Sequence, residues 1–180
     1  KGSLLGPSYN AKAIKEALDE KGAKYTHYTD EKQLLERVSD LLAEGKVIGW
    51  MDGRMEFGPR ALGSRSIIGD ARNLKMQSKM NLKIKYRESF RPFAPVVLKE
   101  AVHKIFEMKE GHESPYMLLV ANVREHLRTK LSDEDIKAMK DPDLRKRVNV
   151  VRSEYPAITH VDYSARLQTI DEERHGRFYR

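Results

Sequence analysis

DGRMEFGPRALGSRS, residues 52–66, sets three arginines among three glycines and a proline. Turn formers at that density break a helix, and they leave too few apolar positions for a strand, so the stretch reads as a structured loop. Val47–Met51 reads as a buried strand leading in, and Ser66–Gly69 as a strand leading out. Upstream, residues 10–21 carry Ile14, Ala17 and Leu18 on one helical stripe behind a Ser8 or Asn10 cap, with Gly22 as the stop. Tyr25–Tyr28 reads as a brief strand. Asp30 can cap a second helix in which Leu34, Leu35, Val38, Leu41 and Leu42 recur at helical spacing before Gly45.

Downstream, Leu74–Ile84 reads as a basic amphipathic helix, Ala94–Leu98 as a strand and Ala101–Phe106 as a short helix. Tyr116–Val123 (YMLLVANV), bounded by Pro115, has the composition of a core strand. Residues 124–154 are mostly charged, with a helix expected over Asp133–Lys140 behind Ser132, and they read as a surface insertion. Two β-type stretches, Ala157–Val161 and Ala165–Ile170, follow. Strands and helices alternate without a strict βαβ rhythm, so the expected class is α/β (α+β), a sheet with packed helices in one domain over residues 1–180.

Composition narrows the function. Hydrophobic residues at 39% and charged residues at 34% exclude collagen-like and disordered classes. No apolar run nears the roughly 18 residues of a membrane span, and no secretory leader is visible, so no membrane partner is expected. The absence of cysteine removes thiolate chemistry and is compatible with a cytoplasmic location. Six scattered histidines without ligand spacing argue against a metal site in this chain. Walker A, GxGxxG and GxSxG patterns are missing, which removes the usual entries to P-loop, Rossmann and α/β-hydrolase chemistry.

Charge is informative once located. Between Trp50 and Arg91, ten Lys/Arg face four acids, so this segment holds six of the net seven positive charges. Arg54, Arg60 and Arg65 lie beside glycines that let backbone N–H groups approach an anion, and the forked guanidinium suits phosphate. In KIKYRESFRPFAP, residues 83–95, Lys83, Lys85, Arg87 and Arg91 alternate with aromatics, and two prolines hold the stretch extended. Lys85, Arg87 and Arg91 could then share one cleft. ITHVDYSARLQT, residues 158–169, offers His160, Asp162, Ser164 and Arg166 at alternate positions. Spacing alone yields an anion or nucleotide site and no reaction.

GRMEFGPRALGSRSI, KYRESFRPFAPVVL and ITHVDYSARLQT, in that order, closely resemble the signature stretches of the C-terminal domain of the NodU/TobZ O-carbamoyltransferases. The resemblance implies a YrdC-like twisted mixed β-sheet with packed helices. Lys85-Tyr86-Arg87 matches that fold's K-x-R element, and Arg60 and Arg91 match the arginines of the first two stretches. It further implies that ATP with Mg and carbamoyl phosphate react here to give carbamoyl adenylate. An N-terminal ASKHA-type domain carrying iron or a similar metal would pass the carbamoyl group to a hydroxyl.

On this reading Arg60, Lys85 and Arg91 are the catalytic candidates. Arg54, Arg65, Arg87, His160 and Arg166 are the nucleotide- and substrate-binding ones, with no metal ligands in this chain. The family's NTSFN segment, source of an S-x-N pair, does not occur in the sequence, so a fold incomplete at its C-terminus and little turnover in isolation are expected. A YrdC-like module that binds RNA or another polyanion without catalysis is the runner-up, although nucleic acid is the less favoured partner.

Overall fold

The computed structural model describes residues 2–180. Helix α1, Ala11–Glu20, starts where the Asn10 side chain accepts from Ala13 N at 2.8 Å. It buries none of its residues. Asp30 caps α2, Glu31–Ala43, by accepting from Lys32 N, and Gly45 takes the left-handed conformation that ends it. Tyr25 is not in a strand; its hydroxyl instead donates to Asp19.

Strands β1, Ile48–Met51, and β2, Arg65–Ile68, pair antiparallel with Trp50 opposite Ser66. The arginine-rich stretch is therefore the connection of a hairpin, closed by Asp52 N donating to Ser64 O. Helix α3, Met76–Lys79, runs on into a π-turn over 80–84. Strand β3, Val96–Leu98, precedes α4, Val102–Ile105.

Residues 164–170 tie the remainder together. Their first half, β5 (Ser164–Arg166), pairs antiparallel with β4 (Val120–Asn122), and their second half, β6 (Gln168–Ile170), pairs parallel with β3. The result is a mixed set of small open ladders with helices, the α/β class anticipated from sequence. An isolated bridge between Arg128 and Ser153 closes the base of the charged excursion. Within it lie α5, Asp133–Met139, held by a Ser132/Asp135 capping box, and α6, Leu144–Asn149. The core gathers Met76, Met80, Val97, Val102, Phe106, Val123, Ile158, Ala165 and Leu167. Truncating a residue as enclosed as Phe106 to alanine costs about 3–5 kcal/mol. No helix among the described residues is long and apolar enough to cross a membrane.

Two sequence expectations are corrected. Of Tyr116–Val123 only residues 120–122 form a strand, and Leu118 and Val120 are 66% and 60% exposed. Ser114 explains the loss: its carbonyl and hydroxyl accept from Met117 N and Leu119 N, folding the run into a turn with Met117 in the left-handed region. Ala157–Val161 is also a series of turns, because the carbonyls of Thr159 and His160 accept from a side chain, Arg152, rather than from a neighbouring strand.

Candidate functional site

The second arginine stretch is organised by one buried amide. Asn81, with no exposed surface, donates to the carbonyls of Ser89 (3.0 Å) and Arg91 (2.8 Å), while its side-chain oxygen accepts from Arg87 Nε at 2.7 Å. Its backbone carbonyl takes Arg87 N as well. Closing so tight a loop forces Tyr86, the middle residue of Lys85-Tyr86-Arg87, into the left-handed region at φ 50°, a conformation uncommon for non-glycine residues. The Arg87 guanidinium stacks 4.9 Å over the Phe93 ring. Its one side-chain acceptor is neutral, and burial, reinforced by the charge of Arg91, pushes its pKa down. Arg91 pairs with Glu88 at 2.8 Å on the surface. Lys85 is exposed and Arg87 is half-buried.

The third stretch is a tight turn. His160 N donates to Ser164 O, Tyr163 N donates to His160 O, and Tyr163 adopts φ 66°. Ser164 Oγ lies 2.7 Å from Asp162 Oδ1 and 3.3 Å from His160 Nδ1. Burial lowers the His160 pKa, with Asp162 opposing and the charges of Arg152 and Arg166 adding to the shift. The hydrogen bond from Ser164 holds the Asp162 carboxyl below its usual range.

Arg152 locks this turn in place and had no signal in the sequence, where it is one arginine in a charged run. It is 2% exposed. Its guanidinium donates to the carbonyls of Arg147 (2.7 Å), Val148 (3.4 Å), Thr159 (2.8 Å) and His160 (3.0 Å), joining the end of α6 to the start of the turn. No carboxylate is within ion-pair distance of it among the described residues.

The second and third stretches face one another across a cavity of about 270 Å³. Gln77, Phe90 and Pro92 form one wall, Leu144 and Val148 of α6 another, and Arg152, His160 and Asp162 the polar end. Phe90, one of the aromatics of the second stretch, lines this cavity and is 39% exposed.

The first stretch lies apart from it. Buried Glu56 accepts from Leu62 N (2.8 Å), Ser64 N (2.6 Å) and Arg65 Nε (3.2 Å). Arg65 also donates to Gly58 O, and Arg54 to Gly6 O. Arg60 is half-buried. None of the three lines the cavity, nor does Arg166, which is exposed on β5. The C-terminal segment braces this loop: Arg177 bridges Glu31 and Asp52, each at 3.0 Å, and Phe178 packs 5.8 Å from Trp50.

Residues 39–180 match the family model described as Carbamoyltransferase C-terminus. The chain belongs to that family. Within it, the chain is 41% identical to nodulation protein NolNO of Sinorhizobium fredii over 74% of its own length and 16% of the relative's. It is 37% identical to the 3'-hydroxymethylcephem-O-carbamoyltransferase of Streptomyces clavuligerus, over 74% of the chain and 20% of that enzyme. An uncharacterized Synechocystis sp. protein is 54% identical over 99% of the chain and 28% of its own length. The chain thus spans less than a third of the length of these relatives, while the matched residues include all three arginine- and histidine-bearing stretches.

Proposed function

We propose that this carbamoyltransferase C-terminal domain binds Mg-ATP and carbamoyl phosphate and forms carbamoyl adenylate for transfer to a hydroxyl acceptor. The observation that supports the reading is the meeting of the second and third stretches across one cavity whose polar end holds Arg152, a cation without a carboxylate partner among the described residues. The partners of Arg152 are four carbonyls and the Met139 sulfur, and Arg87 of the second stretch, which does not itself line the cavity, has a neutral amide as its side-chain acceptor. Fixed positive charge of this kind stabilises anionic ligands and the charge that grows on departing pyrophosphate, without reorganising during the reaction.

In the reaction a carbamoyl oxygen joins the α-phosphorus of ATP as pyrophosphate leaves. The phosphate of carbamoyl phosphate is released with one water consumed. Lys85, Arg87 and Arg91 would hold phosphate oxygens, Arg91 exchanging Glu88 for the ligand, and His160 and Arg166 would meet the carbamoyl end. Arg60, whose side chain is not committed to a carboxylate, would join them if its loop closes toward the ligand; Arg54 and Arg65 shape that loop. Iron fits no residue set here, since no cluster of three His, Asp or Glu gathers among the described residues, and no step is drawn through a metal in this chain.

Calorimetry of the chain with Mg-ATP, beside a Lys85→Ala, Arg87→Ala variant checked for folding by circular dichroism, tests the reading. Saturable binding that the variant loses supports it. A folded wild type that takes up no nucleotide would overturn it, and so would RNA displacing ATP with an affinity that falls steeply with salt.

A further inference from the structure

We infer that the Asp162–Ser164–His160 turn presents His160 Nε2 as a hydrogen-bond acceptor for the N–H of a carbamoyl group, which makes His160 the residue that separates carbamoyl donors from other acyl donors. This inference rests on the reading above and names the specificity element of the same site.

The argument is one of counting protons. Ser164 has a single hydroxyl proton, and an ionised carboxylate can only accept. At 2.7 Å from Asp162 Oδ1, that proton belongs to the Ser164–Asp162 contact. Ser164 Oγ is then left to accept from His160 Nδ1, 3.3 Å away. The ring proton is thereby placed on Nδ1, and Nε2 carries a lone pair. Nε2 has no hydrogen-bond partner among the described residues, yet it is not among their sealed, unpartnered polar atoms, so it keeps contact with solvent. His160 stands on the cavity wall beside Asp162 and Arg152. Burial acts against a second ring proton, with Asp162 opposing and the charges of Arg152 and Arg166 adding to the effect, so the ring is favoured as a neutral acceptor.

A lone pair next to fixed cations selects among ligands. A phosphate oxygen at neutral pH has little to donate to it. A carbamoyl group has two N–H donors and a carbonyl oxygen, which complement Nε2 and a guanidinium respectively. An acetyl group offers a methyl instead and leaves the acceptor unpaired, and sites built to hydrogen-bond an N–H or O–H discriminate strongly against analogues without it. Arg152 acts through the turn: its bonds to the Thr159 and His160 carbonyls fix where the ring sits.

The test uses the chain with two probes, carbamoyl phosphate and acetyl phosphate, each titrated in the presence of Mg-ATP. Ring nitrogen resonances of His160 are recorded by NMR alongside. The expected result is a protonated Nδ1 with an unprotonated Nε2, and a preference for carbamoyl phosphate that falls roughly tenfold or more in His160→Ala. His160→Gln, whose amide oxygen can still accept, should recover part of the preference. Ser164→Ala should scramble the tautomer and weaken the preference while Mg-ATP binding persists. If Mg-ATP binds but wild type treats the two acyl phosphates alike, or the preference survives in His160→Ala, the inference falls and the adenylate reading stands. If neither Mg-ATP nor carbamoyl phosphate binds, both fall.

Discussion

The two arginine-bearing regions use the same residue type in opposite ways. At the exit of the hairpin loop of residues 52–64 the charge is met at home, since Arg65 is paired with buried Glu56. In the second stretch Arg87 rests on a ring and an amide, and at the polar end of the cavity Arg152 rests on four carbonyls. A guanidinium satisfied by neutral acceptors has its donors fixed and its net charge intact. A cation compensated within the chain builds scaffolding, while Arg152 keeps its charge at the polar end of the cavity, beside Asp162, where it can favour an anionic ligand.

The sharpest way to break this contrast is Arg152→Ala. It empties the side chain's place, removes the guanidinium donor from the carbonyls of residues 147, 148 and 159, and leaves the His160 carbonyl to Tyr163 N alone, so a loss of about 3–5 kcal/mol is expected in urea unfolding. Since domains are stable by only about 5–15 kcal/mol, this variant stands near the limit of folding. Arg152→Lys, which keeps the charge with fewer donors, should recover part of that loss; full wild-type stability in the alanine variant would contradict the structural half of the comparison.

Glu56→Ala should cost somewhat less, about 2–4 kcal/mol, by releasing two backbone N–H groups and Arg65 together. Nucleotide affinity in the folded fraction should fall by less than in the Lys85→Ala, Arg87→Ala variant, because the hairpin loop that carries Arg60 does not line the cavity. Asn81→Ala comes next, at about 2 kcal/mol. Here the sharper readout is Mg-ATP affinity, which should drop because the loop holding Arg87 and Arg91 loses its amide anchor; unchanged affinity would mean that the second stretch does not hold nucleotide.

The smallest effect is that of pH. Burial lowers the pKa of both His160 and His175. As pH falls, the unfolded chain therefore takes up these protons first, at its ordinary value of about 6.5. The stability from the two neutral rings is complete above that pH and is lost as pH drops through it toward the folded values. Beyond burial, both rings have neighbours of each sign: Asp162 favours protonation of His160 against Arg152 and Arg166, and Asp171 and Glu56 favour it at His175 against Arg174. Urea midpoints at pH 7.5 and 5.5 should accordingly converge in both His160→Gln and His175→Gln relative to wild type, and an undiminished gap in the two variants would place the pH sensitivity in other groups.

Local chemistry was legible in the residues. Asn10, Asp30 and Ser132 cap the helices that their positions announced, because a cap is a contact between neighbours in sequence. The glycine-rich stretch was correctly a loop, and the mixed class followed from alternating periodicities. Leu118, Leu119 and Val120 misled for the opposite reason: apolar composition marks what would gain from burial, and only packing decides whether anything covers it.

The three stretches showed where the chemistry-bearing residues lie along the chain, and their order carried the family resemblance. Their grouping in space was not in the sequence. Two of them meet across a cavity and the first does not share it, and the keystone is a lone arginine whose partners are backbone carbonyls. A carbonyl is present at every residue and leaves no mark in composition or spacing. Which four of them a buried guanidinium gathers is therefore fixed only when α6 and the His160 turn come together in the folded chain.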